Sequence, residues 1–122
     1  MKTSAQRTGQ YGENIAVNYL QKRKYQIIET NWQYKGRNEI DIVAVDKGTL
    51  VFVEVRARRG NNMLSPQETI TPKKYRNLRI AAQLYKKLNP ETPDALRIDL
   101  VSISFSRTSV SPKIKLLRNI SV

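Results

Sequence analysis

Cysteine and histidine are both absent from this sequence of 122 residues. The lack of cysteine excludes disulfides, zinc sites built on thiolates and cysteine nucleophiles. The lack of histidine excludes Ser-His-Asp triads, imidazole general bases and histidine metal sites. Any catalysis must therefore depend on carboxylates, Lys, Arg, Tyr or a metal ion that is held by oxygen atoms.

Long apolar runs are also missing. No stretch approaches the roughly 20 residues that a membrane-spanning helix needs. The first residues, MKTSAQRTGQYGEN, lack the apolar segment of about 7–15 residues that is typical of a signal peptide. We therefore expect a cytoplasmic protein that does not contact a membrane. Apolar residues still make up 39% of the chain, enough for the core of one domain spanning residues 1–122.

Acidic residues are few, because 22 Lys and Arg stand against 10 Asp and Glu and give a net charge of +12. Such an excess predicts a polyanionic partner, and nucleic acid, DNA first, is the leading candidate. The alternatives are a ribosome-associated protein or a surface that is merely basic. An anionic membrane is disfavoured, since no segment combines a basic face with a bulky apolar one.

Hydrophobic periodicity and turn residues predict the order α-β-β-β-α-β-β. A mobile lead-in over residues 1–10 precedes a first helix from Gly12, and a long loop spans 58–70. Thr71 as N-cap and Pro72 begin a second helix that ends near Leu88. Its predicted apolar stripe is Tyr75, Leu78, Ala82, Tyr85 and Leu88. The predicted strands are 25–32, 39–45, 50–57, 96–105 and 113–120, the last within a loop and edge strand over 106–122.

Acidic side chains interrupt two strands that are otherwise apolar on both faces. Asp41 lies in EIDIVAV and Glu54 in LVFVEVRA, although carboxylates are seldom buried unless they are paired or bind a metal. If residues 47–48 form a two-residue hairpin loop, Asp41 lies opposite Glu54, and Glu39 lies opposite Arg56. Because side chains alternate along a strand, all four are then predicted to share one face.

A divalent cation would reverse the repulsion between the two central carboxylates. At ~5 Å they repel by ~3 kcal/mol at an effective dielectric near 20. Asp41 and Glu54 are therefore candidate metal ligands. Glu13 is a third candidate, because Ala16 and Leu20 follow it on the face of the first helix that must pack on the sheet. Glu13 has an alternative role, as a favourable acid in the first turn of a helix.

The strand acids also have a structural alternative. In it, Glu39 and Arg56 form a cross-strand salt bridge, while Asp41 and Glu54 are solvated on an open face of the sheet. Asp99, in LRIDLV, is a similar acid in an apolar strand. It has no companion that the sequence identifies, and we interpret it as structural.

Five segments in order resemble the PD-(D/E)XK nuclease superfamily. They are GENIAVNYL, NWQYKGRNEIDIVAVD, LVFVEVRARR, SPQETITPKKYRNLRIAAQLY and RIDLVSI, which cover roughly residues 12 to 103. Within the superfamily their spacing resembles archaeal-type Holliday junction resolvases, and more closely the small YraN-like family of predicted nucleases. The resemblance implies a single-domain α/β fold of the restriction-endonuclease type, with a central mixed β-sheet flanked by helices.

The resemblance also implies a catalytic site. Asp41 and Glu54 match the ligands of Mg²⁺, for which Mn²⁺ can substitute, and the backbone carbonyl of Val55 matches a third ligand. Glu13 matches the acid of the first helix that supports the metal. Arg56 occupies the position of the motif's lysine, which orients or helps to deprotonate the attacking water. Arginine stays protonated, so it cannot act as a base.

Other cations are expected to complete the site. Lys73, at the start of the second helix, is the candidate to replace the missing amine. The residues expected to hold the phosphate backbone are Arg56, Arg58, Arg59, Lys73, Lys74, Arg76 and Arg79.

Three functions remain open from the sequence. The first is a magnesium-dependent endonuclease that acts on DNA, with branched or junction DNA as one substrate class. The second is a DNA- or RNA-binding module that keeps the fold and has lost turnover because Arg56 replaces lysine. The third is a basic adaptor for an acidic protein, which leaves the opposition of Asp41 and Glu54 unexplained. A homodimer is compatible with the resemblance to resolvases.

Overall fold

A five-stranded mixed sheet with one helix on each face forms the computed structural model of this chain, which describes residues 4–60, 70–106 and 110–121. The elements are α1 (Ser4–Lys22), β1 (Gln26–Tyr34), β2 (Asn38–Asp46), β3 (Thr49–Arg59), α2 (Pro72–Leu88), β4 (Ala95–Phe105) and β5 (Lys113–Leu117). The predicted fold class and the element order α-β-β-β-α-β-β are confirmed.

The strands lie in sequence order, β1-β2-β3-β4-β5. Neighbouring strands are antiparallel except β3 and β4, which are parallel. A parallel pair needs a crossover connection, and α2 lies on that connection. The predicted edge strand over 113–120 is confirmed as β5, although β5 ends earlier, at Leu117.

The three central strands, β2, β3 and β4, are buried on both faces, as their apolar sequences predict. One core cluster lies between the sheet and α2 and is centred on Phe52 and Tyr85. The other lies between the sheet and α1 and includes Leu20, Val51 and Val53. Among the residues that the structure describes, no helix has the length and apolar character needed to cross a membrane.

The first helix differs from its prediction. The lead-in predicted over residues 1–10 is wrong from Ser4 onward, because α1 already begins there. The sequence before Gly12 shows no apolar periodicity, yet Ala5, Gln6 and Arg7 have high intrinsic helix propensity. Gly12 lies inside the helix rather than at its start, and a Cβ atom there would be 2.7 Å from the Cβ of Ala57 in β3. Glycine therefore allows α1 to approach the sheet closely beside Glu13.

The second helix begins as predicted. Thr71 caps it by accepting a hydrogen bond from the backbone N–H of Lys74 at 3.1 Å. The predicted apolar stripe is wrong at its last position, because Leu88 is half exposed while Ala81 is buried. Leu88 is the final residue of the helix, where the chain already leaves the sheet. The predicted loop over 58–70 is shortened because β3 continues to Arg59, and its residues 61–69 lie outside the described part of the chain.

Asp99 has companions that the sequence did not reveal. It is fully buried, and its carboxylate accepts hydrogen bonds from Arg97 Nε at 2.9 Å and from the hydroxyl of Tyr25 at 2.8 Å. Arg97 also donates to Asp46 at 2.8 Å. Burial and the bond to Asp99 raise the pKa of Tyr25 to about 12. This paired network ties β4 to the β2–β3 hairpin, consistent with the structural role predicted for Asp99.

Candidate metal and nucleic-acid site

The hairpin of β2 and β3 positions the two strand carboxylates. Its loop is Lys47 and Gly48, both with positive φ, 48° and 81°, as a two-residue loop of type I′ requires. The backbone pairing continues from the loop to Ile42↔Val53, one residue short of Asp41. The predicted two-residue loop and register are therefore confirmed up to the edge of the candidate site.

Alternation along β2 breaks at Asp41. Ile42 belongs to the core cluster beneath α1, whereas Ile40 belongs to the cluster beneath α2. Strict alternation would place both on one face. Glu54 lies two residues after Phe52, on the side of β3 that faces α2. The prediction that Glu39, Asp41, Glu54 and Arg56 all share one face is therefore wrong, because β2 leaves its regular pleat where its pairing with β3 ends.

The break nevertheless brings the acids together. The carboxylate of Asp41 accepts a hydrogen bond from the backbone N–H of Val55 at 2.8 Å. It also lies within hydrogen-bonding reach of Glu54, and its charge raises the pKa of Glu13. Asp41 thus lies between an acid on the α1 side and an acid on the α2 side, in the gap where β2 and β3 separate.

Glu54 is the most perturbed carboxyl of the site. It is 6% exposed, and burial, followed by the hydrogen bond and charge of Asp41, raises its pKa to about 8. The charges of Lys74 and Arg56 act in the opposite direction. Its buried Oε2 atom has no hydrogen-bond partner among the residues that the structure describes. At neutral pH the pair of Asp41 and Glu54 therefore retains a proton unless a cation replaces it.

Two cations flank Glu54, and one of them differs from the prediction. The ammonium of Lys74 lies 3.4 Å from Oε2 of Glu54, and the guanidinium of Arg56 lies 3.9 Å from the same atom. The predicted replacement for the motif's lysine was Lys73, but Lys73 is exposed. Successive side chains of a helix are rotated by about 100° about its axis, so Lys73 and Lys74 point in different directions. The way in which α2 packs on the sheet brings Lys74, and not Lys73, to Glu54.

Glu13 approaches from α1, as predicted. It is half-buried, and its pKa is raised by burial and then by the charge of Asp41, while a hydrogen bond with Asn31 opposes the rise. Asn31 was not predicted. It lies in β1 between the pairs Thr30↔Ile42 and Trp32↔Ile40, hence opposite Asp41, and has a positive φ of 54°. Asparagine tolerates this left-handed conformation better than most residues, which is the one indication in the sequence of an irregular β1.

The structural alternative for the strand acids is wrong, because Glu39 and Arg56 do not form the predicted cross-strand salt bridge with each other. Glu39 accepts a hydrogen bond from Gln33 at 3.1 Å on the surface, and Arg56 lies beside Glu54. Asp41 and Glu54 are not solvated on an open face, since Glu54 is buried and Asp41 is partly buried.

The remaining predicted cations lie on the surface near the site. Lys74 is 37% exposed in its side chain and Arg56 is 35% exposed. The other exposed members of the predicted phosphate-binding set are Arg58, Arg59, Lys73, Arg76 and Arg79. They lie at the end of β3 and in the first turns of α2, which is compatible with one basic surface around Glu54. Their role in binding phosphate stays a prediction.

The donor set suits a hard cation. Across residues 4–60, 70–106 and 110–121, no three acidic side chains gather closely enough to enclose a metal ion. Mg²⁺ does not require such a cage, because it is usually held by one or two carboxylates and keeps several waters. Asp41 and the Oε2 atom of Glu54, which makes no hydrogen bond to the described residues, provide such ligands, and the absence of histidine and cysteine excludes imidazole and thiolate ligands. The residues present fit magnesium.

Comparison with known proteins identifies the relatives of the chain. Residues 12–103 match the model of a family described as "Uncharacterised protein family UPF0102". A UPF0102 protein of Syntrophomonas wolfei is 41% identical over 95 residues, which cover 78% of this chain and 82% of that protein. A UPF0102 protein of Dehalococcoides mccartyi is 36% identical over 119 residues, 98% of this chain and 96% of that protein. These matches confirm the prediction of a small YraN-like family.

Proposed function

The chain belongs to the UPF0102 family, and we propose that it is a metal-dependent nuclease of the PD-(D/E)XK type that hydrolyses phosphodiester bonds in DNA. One observation carries the proposal: the buried Glu54 and the partly buried Asp41 lie side by side in a chain with a net charge of +12. Sheltering two carboxylates side by side is unfavourable unless a proton or a cation lies between them. In a strongly basic protein, such a pair is explained if it binds a metal ion that acts on a bound polyanion.

The residues of the site have distinct roles in this proposal. Asp41 and Glu54 would hold Mg²⁺ or Mn²⁺ together with the backbone carbonyl of Val55, while Glu13 supports the site from α1. The metal ion would polarise the phosphate and lower the pKa of a water molecule that attacks it. The backbone N–H of Val55 already orients the Asp41 carboxylate, as groups outside the ligand shell do in metal sites.

Lys74 takes the part of the motif's lysine in this proposal. Its ammonium contacts Glu54 from α2 rather than from β3, so it can hold a phosphate oxygen or a water beside the carboxylate. A lysine can change its protonation state when it is desolvated, whereas the arginine at position 56 cannot. Arg56 keeps its charge and can stabilise the negative charge that develops on the phosphate.

A second function has an observation in its favour. Lys74 and Arg56 both lie within 4 Å of Glu54, and a shared proton can stabilise the acid pair without a metal ion. A DNA- or RNA-binding module with a degenerate nuclease site would keep this arrangement. If the chain is such a module, we expect neither metal binding at this site nor metal-dependent cleavage.

Calorimetric titration with Mn²⁺ and Mg²⁺ separates the two functions, combined with incubation of labelled duplex, single-stranded, flap and four-way-junction DNA. The wild type is expected to bind metal and cleave at least one substrate, and Asp41→Asn is expected to lose both. Asp94→Asn is the matched control, because it removes the same charge from a fully exposed carboxylate paired with Lys86. The nuclease proposal fails if the wild type shows neither metal binding nor cleavage, or if both variants behave alike.

A further inference from the structure

We propose that a cleft between α2 and β4 binds a single unpaired nucleobase beside the candidate nuclease site. This inference rests on the proposed function and deepens it, because it names the substrate class as DNA with unpaired nucleotides. The cleft is lined by residues of β3, α2, β4 and the segment after β5. None of these residues was predicted to bind a base.

The size and lining of the cleft suit a flat heterocycle. Its volume of about 210 Å³ is below the roughly 300–1,000 Å³ of sites for drug-sized ligands. Phe52 and Ile98 contribute buried apolar surface, and Tyr75 contributes an aromatic ring. Gln83 and Asn119 bring amide groups to the same cleft. Proteins bind unpaired bases by this combination of aromatic stacking and hydrogen bonds to the base edges.

The two arginines of the cleft favour a neutral base in its interior and the phosphate of the same nucleotide at its surface. Two arginines line it, Arg79 and Arg97. Arg97 is paired with Asp46 at 2.8 Å and with Asp99 at 2.9 Å, so its charge is compensated and the interior does not favour an anion. Arg79 is exposed on α2 and forms no ion pair with the described residues. It is therefore available at the surface for the phosphate of the same nucleotide.

The cleft adjoins the carboxylates closely enough for one DNA strand to reach both. Phe52 and Glu54 are two residues apart on the same side of β3, a separation of ~7 Å. Tyr75 directly follows Lys74, whose ammonium contacts Glu54. Successive bases of a stacked DNA strand rise by about 3.4 Å and an unstacked strand extends further per nucleotide, so the bound base belongs to a nucleotide at most about two steps from the phosphate at Glu54. A paired base cannot enter such a cleft without leaving its stack.

Binding measured without cleavage tests the inference. Fluorescence anisotropy in EDTA would compare a single strand of about 12 thymidines with a strand that has the same number of phosphates and no bases. The strand without bases is expected to bind the wild type about 5- to 150-fold more weakly, because stacking of a base on an aromatic side chain is lost. Tyr75→Leu, which keeps apolar bulk but removes the ring, is expected to bring the ratio of the two dissociation constants toward one.

Arg76→Gln is the matched control, because Arg76 neighbours Tyr75 in sequence but does not line the cleft. It is expected to weaken both strands and leave their ratio unchanged. If thermal melting shows that Tyr75→Leu is unfolded, Gln83→Ala replaces it with the same expected direction. The inference is overturned if the wild type binds both strands equally, or if the ratio of the two dissociation constants is unchanged in the cleft variant. It is also overturned if polyglutamate competes for the wild type as well as the thymidine strand does. If the protein cleaves DNA but binds both strands equally, the base-binding cleft is ruled out and the proposed function stands. If binding depends on the bases but no cleavage occurs, the cleft stands and the proposed function is ruled out.

Discussion

At the scale of single residues, the acids of the site could be predicted from the sequence and most of their contacts could not. Asp41 and Glu54 were visible because a charged residue in an apolar strand needs a partner. The irregular β1 that brings Asn31 opposite Asp41 has no comparable pattern. Choosing between Lys73 and Lys74 required the orientation of α2 on the sheet, which depends on how the whole helix packs.

The contact between Lys74 and Glu54 leads to a prediction about the proposed activity. Lys74→Gln is expected to lower the rate of the chemical step by about 10²–10³-fold, as removal of one donor that stabilises a transition state does in other enzymes. Lys73→Gln removes the same charge from the neighbouring exposed residue and is expected to change the rate by less than about 10-fold. Single-turnover cleavage at saturating metal, measured across pH, checks both variants.

Lys74→Arg distinguishes the role of charge from that of proton transfer. If Lys74 acts only through its charge, the arginine variant recovers most of the rate. If its ammonium exchanges a proton, the rate stays low and its pH dependence flattens. Equal losses in the variants at positions 73 and 74 would contradict the assignment of Lys74.

At the scale of elements, local patterns predicted what local chemistry determines. The start of α2 is set by Thr71 and Pro72, and the hairpin loop by Lys47 and Gly48, so both were predictable. The start of α1 was not predictable, because the first turns of this helix are polar and show no apolar periodicity. The helix is held in place by packing contacts further along its length. Gly12 is an example: in the sequence it marks a helix start, and in the structure it is the contact point with β3.

Gly12 and Gly9 lie in the same helix and predict opposite effects of substitution. Gly12→Ala would place a Cβ atom 2.7 Å from that of Ala57, and overpacking of this kind costs about 1–3 kcal/mol. Gly9 has nothing within 4 Å of the added atom, so Gly9→Ala is expected to stabilise the chain by about 1 kcal/mol through helix propensity. Urea unfolding measures both changes.

A further consequence concerns the site itself. Displacement of α1 by Gly12→Ala moves Glu13, the next residue, so metal affinity is expected to fall in this variant and not in Gly9→Ala. If Gly12→Ala is as stable as Gly9→Ala, the close approach of α1 to β3 does not exist in solution.

At the scale of the whole molecule, a chain with a net charge of +12 keeps two carboxylates within hydrogen-bonding reach of each other. The sheet is covered on both faces, and the site lies where β2 and β3 separate between the two helices. The hairpin register predicted the acid pair, whereas the anionic partner that the composition predicts stays a prediction. Tertiary packing brings α1, α2 and the sheet together around the acid pair, and no local pattern of the sequence specifies this arrangement.

The protonation of this pair makes the stability of the whole molecule depend on pH. The pKa of Glu54 rises from 4.5 to about 8 in the folded chain, so between these values the folded chain holds a proton that the unfolded chain releases. Without metal, stability is therefore highest below about pH 4.5 as far as this group is concerned. It falls as pH rises toward 8, by at most ~1.4 kcal/mol per pH unit. Glu54→Gln has no proton to lose, so the difference between wild type and variant isolates this contribution from that of Glu13.

The most direct test of the metal site is thermal melting of wild type and Glu54→Gln at pH 6 and pH 8, each in EDTA and in excess Mg²⁺. We expect the melting temperature of the wild type in EDTA to fall between pH 6 and pH 8 relative to that of the variant. We expect magnesium to restore it in the wild type and to leave Glu54→Gln unchanged, because the variant lacks the charged ligand. A wild type that does not respond to magnesium, together with a loss of stability in Glu54→Gln that is the same in both buffers, would contradict the account and leave Glu54 as a salt-bridge partner of Lys74 and Arg56.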